Sequence, residues 1–91
     1  MNEPLSPPQV RDLIRKVSAE TGVIFSKHAR EEMANDRLSE RDIVNVLRGG
    51  WPSPGEFENG SYRYRVSTQS ICVVVAFPNE NRVVVVTAWR L

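Results

Sequence analysis

The chain of 91 residues is 41% hydrophobic, which suits a single folded domain spanning residues 1–91. It has one cysteine, no N-terminal secretion signal and no apolar run near the roughly 20 residues of a membrane helix, so we expect a cytoplasmic protein without membrane or disulfide. The net charge of +1 excludes a strongly basic arm, although residues 1–60 carry −2 (eight basic, ten acidic) and residues 61–91 carry +3 (four arginines, one glutamate).

Three amphipathic helices are predicted in the first half of the chain, because apolar residues recur there at helical spacing. Each follows a serine suited to an N-cap, and Asp42 lies three residues after Ser39, as in a capping box. The link Val23-Ile24-Phe25 is too short for a helix. The N-caps and ends of the three helices are predicted at Ser6 and Gly22, Ser26 and Asn35, and Ser39 and Gly49.

Beyond residues 51–55, which are expected to be irregular because of their prolines, the pattern changes from helical spacing to alternation. Asn59-Gly60 is typical of a two-residue hairpin turn. The pattern predicts strands at 56–58, 62–66, 71–77 and from 83 towards 90. The fold class expected is α+β, with two to three N-terminal helices packed on a four-stranded antiparallel sheet.

Symmetric pairing about the two later turns predicts which residues share a face of the sheet. The opposite face would carry Arg63, Arg65 and Arg90 over small residues. The face predicted to meet the helices contains Tyr62, Tyr64, Val66, Ile71, Val73, Val75, Phe77, Val83, Val85, Thr87 and Trp89.

His28 is the only histidine and a candidate general acid or base, because imidazole titrates near neutral pH. A surface histidine paired with Glu31 or Glu32 one turn further on is the structural alternative. His28 and Glu32 have the spacing of a metal pair, but no second histidine or cysteine cluster completes a site. We therefore expect neither a metal nor a cofactor.

Arg63 and Arg65 alternate with Tyr62 and Tyr64, a mixture that can bind phosphates and stack bases, or can simply form an exposed strand. No P-loop, dinucleotide fingerprint, nucleophile elbow or zinc spacing is present in the sequence. RNA cleavage needs little machinery, because the substrate supplies its own nucleophile, the 2′-hydroxyl. From the residues alone, RNA cleavage and a helix-over-sheet interaction module stay equally open.

Two segments, Phe25-Ser26-Lys27-His28-Ala29-Arg30-Glu31-Glu32-Met33 and Leu38-Ser39-Glu40-Arg41-Asp42-Ile43-Val44-Asn45-Val46-Leu47, resemble a bacterial domain family linked to RelE-like toxins. The ending Val85-Val86-Thr87-Ala88-Trp89-Arg90 is similar as well. The resemblance covers residues 24–90. It implies the fold of the barnase, colicin, RelE and MqsR ribonucleases, and a toxin paired with an antitoxin of the zinc-ribbon or helix-turn-helix kind.

The resemblance implies a type II toxin that cleaves mRNA or tRNA without metal. The resemblance places the family's helical histidine on His28, its basic strand position on Arg63 or Arg65, and its terminal-strand hydroxyl on Thr87. We expect His28, Arg65 and Thr87 to be catalytic, and Arg63, Tyr64 and Arg90 to bind the substrate. Glu32 and Asp36 stand where the family usually has arginine. These two acids favour the alternative, a catalytically inactive module of the same fold that binds protein or RNA.

Overall fold

The computed structural model describes residues 1–20 and 22–91, and in it three helices cover one face of a six-stranded mixed sheet. The sheet order is β1-β6-β5-β4-β2, with β3 also paired to β4. No helix within the described residues is long and apolar enough to cross a membrane. The elements are α1 (Pro7–Ala19), β1 (Val23–Phe25), α2 (Lys27–Asn35), α3 (Glu40–Gly49), β2 (Trp51–Pro52), β3 (Glu56–Glu58), β4 (Ser61–Ser67), β5 (Ile71–Asn79) and β6 (Arg82–Arg90).

The α+β class and the three predicted helices are confirmed, because the local signals at their starts decide them. The Ser26 hydroxyl accepts a hydrogen bond from the Ala29 amide at 3.0 Å and so caps α2. At α3 the capping box is complete, with Asp42 accepting from the Ser39 amide at 2.8 Å. Hydrogen bonds from the backbone and the side chain of Ser39 lower the pKa of the Asp42 carboxyl.

The expectation of four antiparallel strands is wrong, because two further segments join the sheet. Val23–Phe25 pairs in parallel with Val83–Val85 and so extends the sheet beyond β6. Trp51–Pro52 pairs with Val66 and Ser67 at the opposite edge of the sheet. A proline is tolerated there because an edge strand leaves one side unpaired, so its missing N–H costs no ladder bond.

A single core lies between the helices and the covered face of the sheet. α1 contributes Val10, Ile14 and Val17, which are all buried at helical spacing. The other helices, the sheet and the turn between α2 and α3 contribute Ala29, Met33, Leu38, Ile43, Val46, Leu47, Tyr64, Val66, Val73, Val75, Phe77, Val83, Val85 and Ala88. Within residues 1–20 and 22–91 no helix lies on the opposite face of the sheet, because all three helices contribute to this core.

A β-bulge in β6 overturns the predicted face of Thr87 and Trp89. Val75 lies opposite Val85, but Val74 lies opposite Thr87, so Val86 is an extra residue in the ladder. After the bulge the alternation is reversed: Ala88 is fully buried in the core. Thr87 and Trp89 therefore lie on the open face, opposite to the side that regular alternation predicts.

Candidate site: a cleft on the open face of the sheet

The open face holds a cleft of about 230 Å³, built from rows of side chains that run across neighbouring strands. One row joins Arg65, Val74 and Thr87 on β4, β5 and β6. The next row towards the C-terminal end of β4 ends at Trp89, and the row on the other side pairs Glu56 with Arg63. The full lining is Pro54, Glu56, Glu58, Arg63, Arg65, Val74, Thr87 and Trp89.

Two arginines on β4 define the electrostatics of the cleft. The Nε atom of Arg63 is buried and has no hydrogen-bond partner. Neither cleft arginine forms an ion pair with a carboxylate in the described part of the chain. Two guanidinium groups without a carboxylate partner favour a ligand with an anionic oxygen in this part of the cleft.

The tight hairpin between β3 and β4 brings two carboxylates to the same cleft. Asn59 and Gly60 both have positive φ angles, 49° and 84°, as a two-residue hairpin turn requires. The turn fixes the register, so that Glu56 lies opposite Arg63 and both side chains face the cleft. Glu58 follows two residues along the same face.

The far end of the cleft is aromatic. The Arg65 guanidinium lies 5.6 Å from the centre of the Trp89 ring, within the range of a cation–π contact. Cys72, which lies opposite Trp89, is buried on this face, and burial raises the pKa of its thiol although the nearby Arg65 opposes that shift. The Arg65 guanidinium therefore lies over one face of the Trp89 indole at this end of the cleft.

Tyr64 lies in the core on the helix-covered face, where the strand alternation predicted it, and not at the substrate, which it was also expected to bind. It is fully buried, and its hydroxyl accepts from the Leu5 amide at 2.9 Å and donates to Glu3 Oε2 at 2.7 Å. Burial raises the pKa of Tyr64 to about 12. Because its hydroxyl already has two partners behind the sheet, Tyr64 has no contact with the cleft.

Arg90, the third predicted phosphate ligand, instead holds the end of α2. Its Nε donates to the Asp36 carbonyl at 2.8 Å and its Nη2 donates to the Arg37 carbonyl at 3.1 Å. Its backbone amide donates to the Asp36 carboxylate at 2.8 Å. A cation at the C-terminus of a helix is stabilising, and this contact fixes α2 against β6.

The structure separates His28 from the arginines. His28 is an exposed residue in the first turn of α2, the helix that packs against the covered side of β6, and it does not line the cleft. Of the six predicted site residues, the cleft thus unites Arg63, Arg65 and Thr87. No group of three or more His, Cys, Asp or Glu side chains in the described part of the chain is arranged to hold a metal ion.

Glu56, Glu58 and Trp89 are cleft residues that the sequence reasoning missed. The signal for the two glutamates was available, since Asn59-Gly60 fixes the hairpin register and places Glu56 across from Arg63. Trp89 could not be found by alternation, because the bulge at Val86 reverses its side.

The fold and the cleft define an α+β domain whose sheet has one face under helices and an arginine-lined cleft on the other. Residues 25–90 match a family described as a domain of unknown function, DUF4258, and the chain belongs to this family. The matched range contains every residue of the cleft and excludes α1. No curated protein and no solved structure gave a significant match to the chain.

Proposed function

We propose that this protein is a metal-independent endoribonuclease toxin of the RelE/MqsR-like group, with the open-face cleft as its active site and an antitoxin protein as its partner. The observation that carries the proposal is that two arginines, Arg63 and Arg65, line one cleft on the open face and neither has a carboxylate of the described chain in ion-pair range. A phosphodiester oxygen is a charged acceptor for guanidinium N–H groups. The arrangement of helices before an antiparallel meander, with one sheet face open, is consistent with the RelE-like fold.

The reaction proposed is internal transfer to the 2′-hydroxyl of RNA. The 2′-oxygen bonds to phosphorus, the bond from phosphorus to the 5′-oxygen breaks, and a 2′,3′-cyclic phosphate remains. Arg63 and Arg65 stabilise the extra negative charge of the phosphorane, and Thr87, in the same row as Arg65, positions the phosphate. The proton of the 2′-hydroxyl passes to the Glu56 carboxylate, which lies across from Arg63, and the departing 5′-oxygen takes up a proton from water.

The acids that favour an inactive module lie away from the cleft. The Asp36 carboxylate accepts the Arg90 amide at the end of α2, which gives it a structural reason to be an acid. Glu32 also belongs to α2 and does not line the cleft. Neither acid therefore opposes phosphate binding on the open face. If the protein is instead an inactive module, it should bind RNA without cutting it.

The test compares Arg65→Ala with Arg41→Ala, an exposed arginine of α3 outside the cleft. Loss of a charge-stabilising donor costs on the order of 10² to 10³ in rate, whereas Arg41→Ala should leave the rate unchanged. Both surface variants should stay within about 0.5 kcal/mol of the wild-type free energy of unfolding.

The assay follows single-stranded RNA in excess chelator and identifies the ends of its products, alongside growth arrest on expression. Cleavage that leaves cyclic phosphate and fails in Arg65→Ala supports the proposal. Equal cleavage by both variants would move the active site elsewhere, and cleavage that needs a divalent ion would refute the metal-free reaction. RNA binding without any product would identify the binding module.

A further inference from the structure

The two ends of the cleft differ in chemistry, because the strand register determines which side chains lie at each end. Along β4 the rows contain in turn Glu58 with Ser61, Glu56 with Arg63, then Arg65, then Trp89. Two residues of extended strand span about 6.6–6.8 Å, so three such steps separate the acidic end from the aromatic end by about 20 Å of backbone. The arginines lie between, so that a phosphate bound there has different surroundings on its two sides.

The acidic end is hard to reconcile with a ligand that is only anionic. Of the eight lining residues two are arginines and two are glutamates, so the formal charges of the cleft cancel. Neither glutamate comes within 4.0 Å of an arginine as an ion pair in the described chain. The ligand must therefore bring an acceptor for the arginines and, on one side of it, hydrogen-bond donors for the carboxylates.

A nucleotide carries both kinds of group, since its phosphate is an acceptor and the edges of its bases include donors. A cleft of about 230 Å³ is smaller than the usual 300–1,000 Å³ of a small-molecule pocket, and its lining residues occupy successive rows along β4. It suits one step of a single strand, whose base edges are free, and in a duplex those edges are already paired.

We infer that Glu58, at the acidic end, binds the Watson–Crick edge of an unpaired guanine. This inference rests on the proposed RNA-binding function and assigns its base preference. Guanine has two parallel donors on that edge, N1–H and the 2-amino group, which match the two oxygens of a carboxylate. Adenine and cytosine each present one amino donor beside an acceptor, and uracil has one N–H between two carbonyls. A carboxylate therefore discriminates in favour of guanine.

The experiment measures binding of hexauridylate oligonucleotides by fluorescence anisotropy, with one central residue changed to guanine, adenine or hypoxanthine. All sugars are 2′-O-methylated, which removes the nucleophile and keeps the oligonucleotide intact. A bidentate base contact contributes about 1–3 kcal/mol, so guanine should bind at least about fivefold more tightly than adenine or uracil. Hypoxanthine, which lacks the 2-amino group, should fall between them.

Glu58→Gln provides a loss of base preference that a merely structural residue would not give. A glutamine amide has one donor and one acceptor, so it can pair with the amino group and N1 of adenine and also with the O6 and N1–H of guanine, and the preference for guanine should disappear. Glu31→Gln, an exposed carboxylate of α2 outside the cleft, should keep the guanine preference.

Equal binding of guanine and adenine, or an unchanged guanine preference in Glu58→Gln, would overturn the inference while leaving RNA binding intact. Absence of binding to every oligonucleotide would refute the proposed function itself and this inference with it. The two failures are therefore distinguishable in one set of titrations.

Discussion

Replacing Tyr64 with phenylalanine tests whether this residue belongs to the core or to the site. The change keeps the ring and creates no cavity, but it removes the hydroxyl that accepts from the Leu5 amide at 2.9 Å. A buried N–H that loses its acceptor costs about 1–3 kcal/mol. For a domain of this size each kcal/mol lowers Tm by roughly 4–8 °C, so a midpoint cost of about 2 kcal/mol gives a decrease of about 8–16 °C.

The assay for Tyr64→Phe pairs thermal and urea denaturation, followed by circular dichroism, with the RNA cleavage rate. We expect lower stability and an unchanged rate, because the hydroxyl lies behind the sheet and its partners are Leu5 and Glu3. A variant with wild-type Tm and lost cleavage would contradict this reasoning and return Tyr64 to the substrate.

The same residue gives stability a dependence on pH. Burial raises the pKa of folded Tyr64 from 10.0 to about 12. Below pH 10 the phenol is protonated in both states, so its contribution is fully present. Between about pH 10 and 12 the unfolded chain loses its proton first, and the free energy of unfolding falls as pH rises. In Tyr64→Phe this part of the decrease should be missing.

Two further substitutions separate the remaining predicted residues. His28→Ala should leave the cleavage rate nearly unchanged in a steady-state assay, because His28 does not line the cleft. A rate loss of about 10² to 10⁴ would instead identify His28 as the acid–base group. Arg90→Ala should lower the free energy of unfolding by about 1 kcal/mol in urea titrations, because the side chain no longer donates hydrogen bonds to the carbonyls of Asp36 and Arg37. The cleavage rate should be retained. Unchanged stability with lost cleavage would show that Arg90 binds phosphate.

The helices could be predicted from the sequence because their signals are local. Ser26 and Ser39 lie next to the amides that they cap, so capping needs no knowledge of the tertiary fold. The hairpin at Asn59-Gly60 was predictable for the same reason, since two residues with positive φ determine its register.

The added strands and the true face of Trp89 depend on partners far away in the chain. Val23–Phe25 becomes a strand only because β6, sixty residues later, offers a free edge. Such a pairing leaves no local pattern in a three-residue segment. The bulge is similar: the Val86 carbonyl accepts the Ser26 hydroxyl at 3.0 Å, and the Val85 carbonyl accepts the Ser26 amide at 3.1 Å. The start of α2 thus contacts the place where β6 departs from alternation.

Because of the bulge, the single strand β6 contributes side chains both to the core and to the cleft on the open face. Up to Val85, β6 supplies the apolar interior, and from Thr87 onwards its alternate side chains supply the cleft. The length of this strand is therefore as constrained as its composition. Loss of one residue near Val86 would leave the strand hydrophobic and able to pair, yet it would exchange Ala88 with its neighbours, turning a large indole towards the helices and emptying the aromatic end of the cleft.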